Sequence, residues 1–229
     1  MERHFDEELK DLKRDILKMG VFAEEAIRKA VGSLKERDKA MARDVIENDI
    51  KIDQLELIID EKCVDLIARH QPLANDLRFI TVGMKLNSEL ERIADIAVDI
   101  AQRVLEIADK PLLKPLVNIP KLTIIAQDMV AMAVEAFVKG DVELARRVIL
   151  SDGKADELRN IITKELIEDY MAKDAATAPR AVQLLLIARF LERICDHATN
   201  IAEDVIYLVQ AEIVKHHPEK LKDRDPEVE

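Results

Sequence analysis

The sequence predicts an all-α fold in which two tandem three-helix bundles are related by pseudo-twofold symmetry. Composition is the first reason, because the 229 residues include only 5 Gly and 7 Pro, and only 3% are aromatic. A chain rich in Ala, Leu, Ile, Glu and Lys is typical of long helices. The second reason is an internal repeat, which divides six predicted long helices into two sets of three.

Three helices are predicted in the first half. The first spans residues 5–35, and Asp38 then caps a second helix that ends near His70, before a proline. The third spans residues 73–108. These helices form a first bundle at residues 1–110.

The second half begins after three closely spaced prolines, which interrupt helical structure. Asn118 is predicted to cap the fourth helix and Asp141 the fifth, and the sixth is predicted to end near Lys215. The resulting limits are 111–117 for a Pro-rich linker, 118–214 for the second bundle and 215–229 for a polar, disordered tail.

The repeat appears when the sequence is compared with itself. At an offset of 103, residues 38–59 and 141–162 are identical at 11 of 22 positions. At an offset of 101, residues 90–105 and 191–206 are identical at 9 of 16 positions. Chance would give roughly one or two identities in the longer window. Each half is therefore a three-helix unit, and the chain is a tandem duplication.

Acidic residues recur at helical spacing in both halves. Residues four apart are neighbours on a helix, so Glu91, Asp95 and Asp99 share one stripe of the third helix, and Asp49 and Asp53 share one on the second. Like charges at this spacing cost an isolated helix roughly 0.2 to 0.5 kcal/mol per pair, so solvent or a cation must offset the repulsion. The matching positions in the second half are Asp152, Asp156, Glu192, Asp196 and Asn200.

The acids are predicted to face out of the bundles, because an apolar stripe that includes Leu86, Leu90 and Ile93 lies almost opposite them on the third helix. Any amphipathic helix shows a charged face, so a helical scaffold without metal is one alternative. Both acidic pairs recur in the two halves, however, while other surface positions have diverged, for example Glu56 against Arg159. This recurrence favours a shared cation site.

The type of ligand indicates the type of cation. Two antiparallel helices with short acids at matched heights form an oxygen-rich patch, in which adjacent carboxylates can bridge several ions. Carboxylate oxygens favour hard cations, so Mn²⁺, Mg²⁺ and Fe³⁺ are all compatible with the sequence.

Charge and segment composition limit the partners. The formal net charge of −11 argues against binding to nucleic acid or anionic lipid and favours cations or basic protein surfaces. Cys63 and Cys195 show no CxxC or zinc-finger spacing, which favours a reducing compartment. The start of the chain lacks an apolar signal core, and the most apolar window, at 181–190, is too short to span a bilayer. We therefore expect a cytoplasmic protein that does not span a membrane.

No catalytic or nucleotide-cofactor residue is predicted, because the sequence contains no GxxxxGK(S/T), GxGxxG, GxSxG or HExxH motif. A carboxylate-bridged di-iron or di-manganese enzyme is a second alternative. Such sites need ExxH pairs that project into a bundle core, and none of the five His lies three residues after a Glu. We therefore expect that the protein is not an enzyme.

With these motifs in hand, the sequence resembles the PhoU family of regulators of bacterial phosphate uptake. The resemblance rests on LERIADIAVDIA in the first half, LERICDHATNIAEDVIYLV in the second, and PLANDLR at residues 72–78. It covers nearly the whole chain, from about Phe5 to Gln210. The tandem three-helix organisation agrees with it independently.

The resemblance implies a fold, a function and partners. PhoU proteins fold as two three-helix bundles and often pair as homodimers. They hold multinuclear iron or zinc clusters on the outside of the bundles. They act as noncatalytic negative regulators: when phosphate is plentiful they silence the phosphate sensor histidine kinase and restrain the phosphate ABC transporter and its ATPase. We expect the same role for this chain.

The resemblance also implies the metal ligands. The family motif positions in this sequence are Asp49, Asp53, Glu91 and Asp95 in the first half and Asp152, Asp156, Glu192 and Asp196 in the second. Asp99 extends the first site by one turn, whereas the matching residue of the second site is Asn200. A neutral amide there removes one negative charge, so weaker metal loading is predicted in the second half.

Overall fold

The structure, a computed structural model, describes residues 2–211 and the side chains of residues 4–211. This part of the chain forms six long helices and contains no strand, which confirms the all-α prediction. A π-helix, Leu166–Met171, continues α5, and a short 3-10 helix, Ala175–Thr177, precedes α6. The long helices are α1 Glu2–Glu36, α2 Lys39–His70, α3 Ala74–Ile107, α4 Asn118–Lys139, α5 Val142–Glu165 and α6 Ala178–Gln210.

The helices form two bundles of three. Helices α1, α2 and α3 pack against one another, as do α4, α5 and α6, and the halves join where α3 meets α6 and α1 meets α4. Gln127 Nε2 donates to the Glu24 carbonyl oxygen at 3.4 Å. These two residues are equivalent at the repeat offset of 103. A contact between equivalent residues is expected at the axis of the pseudo-twofold symmetry.

The core follows the predicted apolar stripes. Leu86, Leu90 and Ile93 of α3 are at most 1% exposed, and Leu191, the counterpart of Leu90, is 0% exposed. At the contact between bundles, a Cβ on Gly20 of α1 would lie 3.0 Å from Val134 Cγ2 of α4. That separation is tighter than most contacts of a Cβ atom, so a side chain at Gly20 would require Val134 to shift by a few tenths of an ångström.

Two of the predicted N-terminal caps are confirmed. Asp38 Oδ1 accepts hydrogen bonds from the amides of Ala40 and Met41 at 2.8 and 3.0 Å. Asp141 Oδ1 accepts from the Leu144 amide at 2.9 Å. Each carboxylate satisfies amides at the start of a helix, where no carbonyl of the preceding turn is available.

Two other helix ends differ from the prediction. Asn118 is the first residue of α4 and not its cap; the preceding residue, Val117, has φ −101° and ψ −52°, and no side chain caps the helix. A capping side chain requires an extended backbone, which this position lacks. Helix α6 ends at Gln210 and not near Lys215, because Ala211 adopts the left-handed conformation with φ 56°. The predicted tail at 215–229 lies outside the described residues.

The C-terminal ends of α1 and α4 have the same backbone shape but different residues. Gly140, after α4, has φ 65°, and its counterpart after α1, Arg37, has φ 57°. Only glycine adopts this conformation without a steric cost. Arg37 Nε donates to the Ala108 carbonyl at 3.1 Å, which ties the end of α1 to the end of α3.

In the described part of the chain, no helix combines the length and the apolar character needed to cross a membrane.

Candidate functional site

Acids of α2 and α3 come together in the groove between these helices. We call this group the first patch; it consists of Asp49, Asp53, Glu56, Glu91, Asp95 and Asp99. Burial, together with the negative charges of Asp53 and Asp95, raises the pKa of Asp49 to about 6. Because Asp95 lies on α3 and Asp49 on α2, this effect places the two stripes side by side, as the sequence predicted.

The same coupling extends through the patch. Burial and the charges of Asp95, Glu56 and other patch acids raise the pKa of Glu91 to about 7. Burial and the charges of Asp53 and Asp99 also raise the pKa of Asp95. Within the described residues, none of the six patch carboxylates forms an ion pair. The first patch therefore holds negative charge that no neighbouring cation balances.

Glu56 is a member that the sequence analysis missed. Burial and the charges of Asp60, Asp53 and Asp95 raise its pKa. The signal was present, since Glu56 lies three residues after Asp53 and seven after Asp49, which places all three on one face of α2. In the sequence alone, the difference between Glu56 and Arg159 resembles ordinary surface divergence.

The side chains are less exposed than an outward-facing stripe implies. Asp53 and Asp95 are exposed, but Asp49, Glu56 and Glu91 are half-buried along the edge of the groove. Beneath them, the fully buried Asn87 of α3 donates through Nδ2 to the Glu56 carbonyl at 2.9 Å. This bond fixes the spacing of α2 and α3 at the depth of the patch.

The equivalent groove between α5 and α6 holds the second patch, which we define as Asp152, Asp156, Glu192 and Asp196. Burial and the charges of Glu192, Asp152 and Asp156 raise the pKa of Asp196 to about 6. Burial and the charges of Asp156 and Glu192 also raise the pKa of Asp152. The four motif acids of the second half are thus brought together in the same way as those of the first.

The second patch already contains a positively charged side chain, that of Arg159. Arg159 Nη2 lies 3.0 Å from Asp156 Oδ1 and 3.2 Å from Glu192 Oε1. Since Asp156 belongs to α5 and Glu192 to α6, the guanidinium connects the two helices. At the equivalent position of the first patch, Glu56 adds a negative charge instead.

Asn200 contacts the other bundle. Its Nδ2 lies 3.4 Å from Glu89 Oε2 of α3, and the same oxygen lies 2.5 Å from His197 Nδ1. Burial raises the pKa of Glu89, but the bonds and charge from His197 and the bond from Asn200 outweigh it, so the pKa lies below its ordinary value. Asn200 is thus part of the contact between α3 and α6, whereas its counterpart Asp99 raises the pKa of Asp95 in the first patch.

A buried thiol lies under the second patch. Cys195 is 0% exposed and occupies the position of Ala94 in the first half. Burial raises its pKa, and the charges of Asp152, Asp196 and Glu192 raise it further. The thiol is therefore held in its protonated, unreactive form.

As the side chains are placed, the described residues contain no group of three or more His, Cys, Asp or Glu side chains that could hold a metal ion. The carboxylates of the first patch are close enough to alter one another's pKa but do not surround a common point. Binding of a cation there requires rotation of these side chains toward each other.

Comparison with known proteins identifies the family. The family model described as the PhoU domain matches this chain twice, at residues 16–104 and 119–205, once in each bundle. The chain belongs to the PhoU family. Among PhoU relatives, the phosphate-specific transport system accessory protein PhoU homolog of Aquifex aeolicus is 42% identical over 215 residues, which cover 94% of this chain and 97% of that protein.

Solved PhoU structures have the same fold. The crystal structure of PhoU from Pseudomonas aeruginosa superposes with a TM-score of 0.86 at 37% identity, covering 91% of this chain and 100% of that one. The crystal structure of the phosphate transport system regulatory protein PhoU from Streptococcus pneumoniae superposes with a TM-score of 0.85 at 31% identity. The match covers 92% of this chain and 99% of that chain. These names describe accessory and regulatory proteins and not enzymes, which agrees with the noncatalytic prediction.

Proposed function

We propose that this chain is a noncatalytic negative regulator of phosphate uptake and phosphate-starvation signalling. Its partners in this proposal are the phosphate ABC transporter, with its ATPase, and the phosphate sensor histidine kinase. The observation that carries the proposal is the extent of the similarity: both bundles, and 94% of the chain, match a protein named as an accessory protein of the phosphate-specific transport system.

The surface supports a role in protein binding. The formal net charge is −11, which favours partners with basic surfaces. Along the outer face of α2, Ile50, Leu57 and Val64 follow one another at seven-residue spacing and are 58%, 65% and 56% exposed. Such a row of exposed apolar side chains supports contact with another helix. We propose that the chain forms a homodimer in the cytoplasm, and light scattering on purified protein will measure its mass.

Deletion of the gene tests the regulatory role. In the host strain without this chain, we expect phosphate-starvation genes to be expressed even in phosphate-rich medium, because nothing restrains the kinase. The measurement is transcript abundance in rich and poor phosphate, with the wild-type gene restored on a plasmid as the control. Unchanged expression in rich medium would show that the regulatory proposal is wrong.

We further propose that the first patch binds a hard cation in a cluster of one or more ions. The chemistry of its ligands fits: Asp49, Asp53, Glu91 and Asp95 offer oxygen only, Asp99 and Glu56 extend the set, and within the described residues no ion pair balances it. Manganese, magnesium and iron suit these ligands, whereas zinc rests on the family resemblance alone. A bound multivalent cation would invert the local charge and allow an acidic surface to accept phosphate or a partner's carboxylates.

Elemental analysis tests the metal role. We define the first-patch variant by the substitutions Asp49→Asn, Asp53→Asn, Glu91→Gln and Asp95→Asn. We expect wild-type protein purified without chelator to contain metal and the first-patch variant to lose it. A control variant that neutralises four exposed acids outside both patches should keep the metal: Glu47→Gln, Glu61→Gln, Glu157→Gln and Glu168→Gln. Equal metal content in both variants would contradict this assignment, and absence of metal from the wild-type protein would favour a helical scaffold without metal.

A further inference from the structure

Arg159 crosses the groove between α5 and α6 and bonds acids on both helices. Its Nη2 lies 3.0 Å from Asp156 Oδ1 and 3.2 Å from Glu192 Oε1, and its Nη1 lies 2.6 Å from Asn160 Oδ1. The side chains of Arg159 and Glu192 are only 31% and 19% exposed, so water screens this pair incompletely. Arginine is well suited to such a position, because its planar guanidinium offers several fixed donors and is weakly hydrated.

We infer that Arg159 is a built-in counter-cation that closes the second patch to metal, so that each chain carries one metal patch, in its first half. The inference rests on the proposed metal role of the first patch. Asp156 and Glu192 are two of the four acids of the second patch, and both already accept hydrogen bonds from Arg159. A metal ion must break both bonds and then bind beside a fixed positive charge.

The number of charged groups in each patch supports the same conclusion. The first patch has six carboxylates, and within the described residues none of them forms an ion pair. The second has four carboxylates and the guanidinium. Since the affinity of carboxylate sites for hard cations rises with the number of charged ligands, we expect metal binding at the second patch to be weaker by at least about tenfold.

The second patch cannot recover a ligand from the next turn of α6. Asn200 replaces the Asp99 of the first half, and its Nδ2 lies 3.4 Å from Glu89 on the other bundle. The family motif is therefore complete in both halves, but the residues around it leave only the first half free to bind metal.

The two halves suggest a reciprocal test, because Glu56 and Arg159 are equivalent positions. Arg159→Glu gives the second patch the acid of the first, and Glu56→Arg gives the first patch the guanidinium of the second. Arg147→Glu makes the same charge change at an exposed position of α5, about three turns from Arg159, and is the control. Circular dichroism will confirm that each variant keeps its helical content.

The probe is Mn²⁺, added to chelator-treated protein and counted by electron paramagnetic resonance and by elemental analysis after desalting. We expect wild type to bind Mn²⁺ and the first-patch variant to lose it. Arg159→Glu should bind about twice as much as wild type, and the additional Mn²⁺ should persist when the substitution is combined with the first-patch variant. Glu56→Arg should weaken binding at least about tenfold, and Arg147→Glu should match wild type.

The outcomes separate the two proposals. If Arg159→Glu binds no more Mn²⁺ than wild type, or if half of the wild-type Mn²⁺ survives in the first-patch variant, the inference about Arg159 is overturned while the metal role of the chain stands. If wild type binds none but Arg159→Glu does, the metal role of the first patch fails, and the count of one metal patch per chain fails with it, but the closing of the second patch by Arg159 stands. If no variant binds Mn²⁺, both are wrong.

Discussion

The first and second patches occupy equivalent grooves, yet they balance their negative charge differently. In the first, burial and neighbouring acids raise the pKa of Glu91 to about 7, and within the described residues no cation pairs with the patch. In the second, Arg159 bonds two of the four acids. The positions of the motif acids were kept after duplication, whereas a residue three positions from the motif has changed the charge. Two copies of one motif therefore differ in the charges that surround them.

If both patches rest on equivalent scaffolds, equivalent substitutions in the two cores should cost the same stability. These substitutions have the largest expected effect. Leu90 and Leu191 are equivalent and both 0% exposed. We expect Leu90→Ala and Leu191→Ala each to lower the free energy of unfolding by about 2 to 5 kcal/mol, since each leaves a cavity. Urea unfolding followed by circular dichroism measures the loss. A loss from only one substitution would mean that the two bundles differ below the surface as well.

Neutralising equivalent glutamates should have opposite effects in the two patches of metal-free protein. Glu91→Gln removes a charge that its neighbours repel, so we expect it to stabilise the chain at pH 8 by about 1 kcal/mol, a gain that solvent screening limits. Glu192→Gln weakens the 3.2 Å interaction with Arg159, so we expect it to destabilise the chain by a similar amount, about 1 kcal/mol. The measurement is urea unfolding in the presence of a chelator, and a change of the same sign in both would remove the distinction.

The ends of α1 and α4 are a further pair of equivalent positions that differ in residue type. Gly140→Ala should lower the free energy of unfolding by about 1 kcal/mol, because φ of 65° is unfavourable for any residue with a Cβ. Arg37→Gly relieves this cost at the equivalent position but loses the 3.1 Å bond to Ala108, so its net effect should be smaller. Thermal unfolding will rank the two, and a larger loss from Arg37→Gly would show that the bond to Ala108 dominates.

The smallest expected effect is a pH dependence at the pseudo-twofold axis. Burial, assisted by the charge of Asp128, raises the pKa of Glu24 above its ordinary value of 4.5, whereas the equivalent residue of the second half is Gln127. The folded state therefore keeps a proton that the unfolded state releases, so this contribution to stability is full below pH 4.5 and is lost as pH rises through the raised pKa. Glu24→Gln should leave stability near pH 4 almost unchanged and increase it at pH 8 by roughly 0.5 kcal/mol.

Urea unfolding at several pH values measures how the free energy of unfolding changes with pH in wild type and in Glu24→Gln. Glu47→Gln, at an exposed position of α2, is the control. Parallel profiles for wild type and Glu24→Gln would show that Glu24 does not couple to folding.

Periodicity predicted the fold well because the helix-forming composition, the apolar stripes and the capping acids all indicate helices over the same residues. Asp38 and Asp141 cap as expected, because a short carboxylate just before a helix can accept hydrogen bonds from the free amides of its first turn. Asn118 was misplaced because Val117 keeps a helical conformation that no local pattern indicates. The four motif acids of each half were found from spacing. Arg159 was not, because its effect depends on reaching across to Glu192 on another helix.

The buried thiols allow the opening of each bundle to be timed. Cys63 and Cys195 lie at the interior of different halves, are both 0% exposed, and burial raises the pKa of Cys63 to about 12. A thiol reagent can therefore modify each cysteine only when its own bundle unfolds locally or globally. Mass spectrometry of the labelled peptides would give two independent opening rates from a single unmodified chain, one for each half of the duplication.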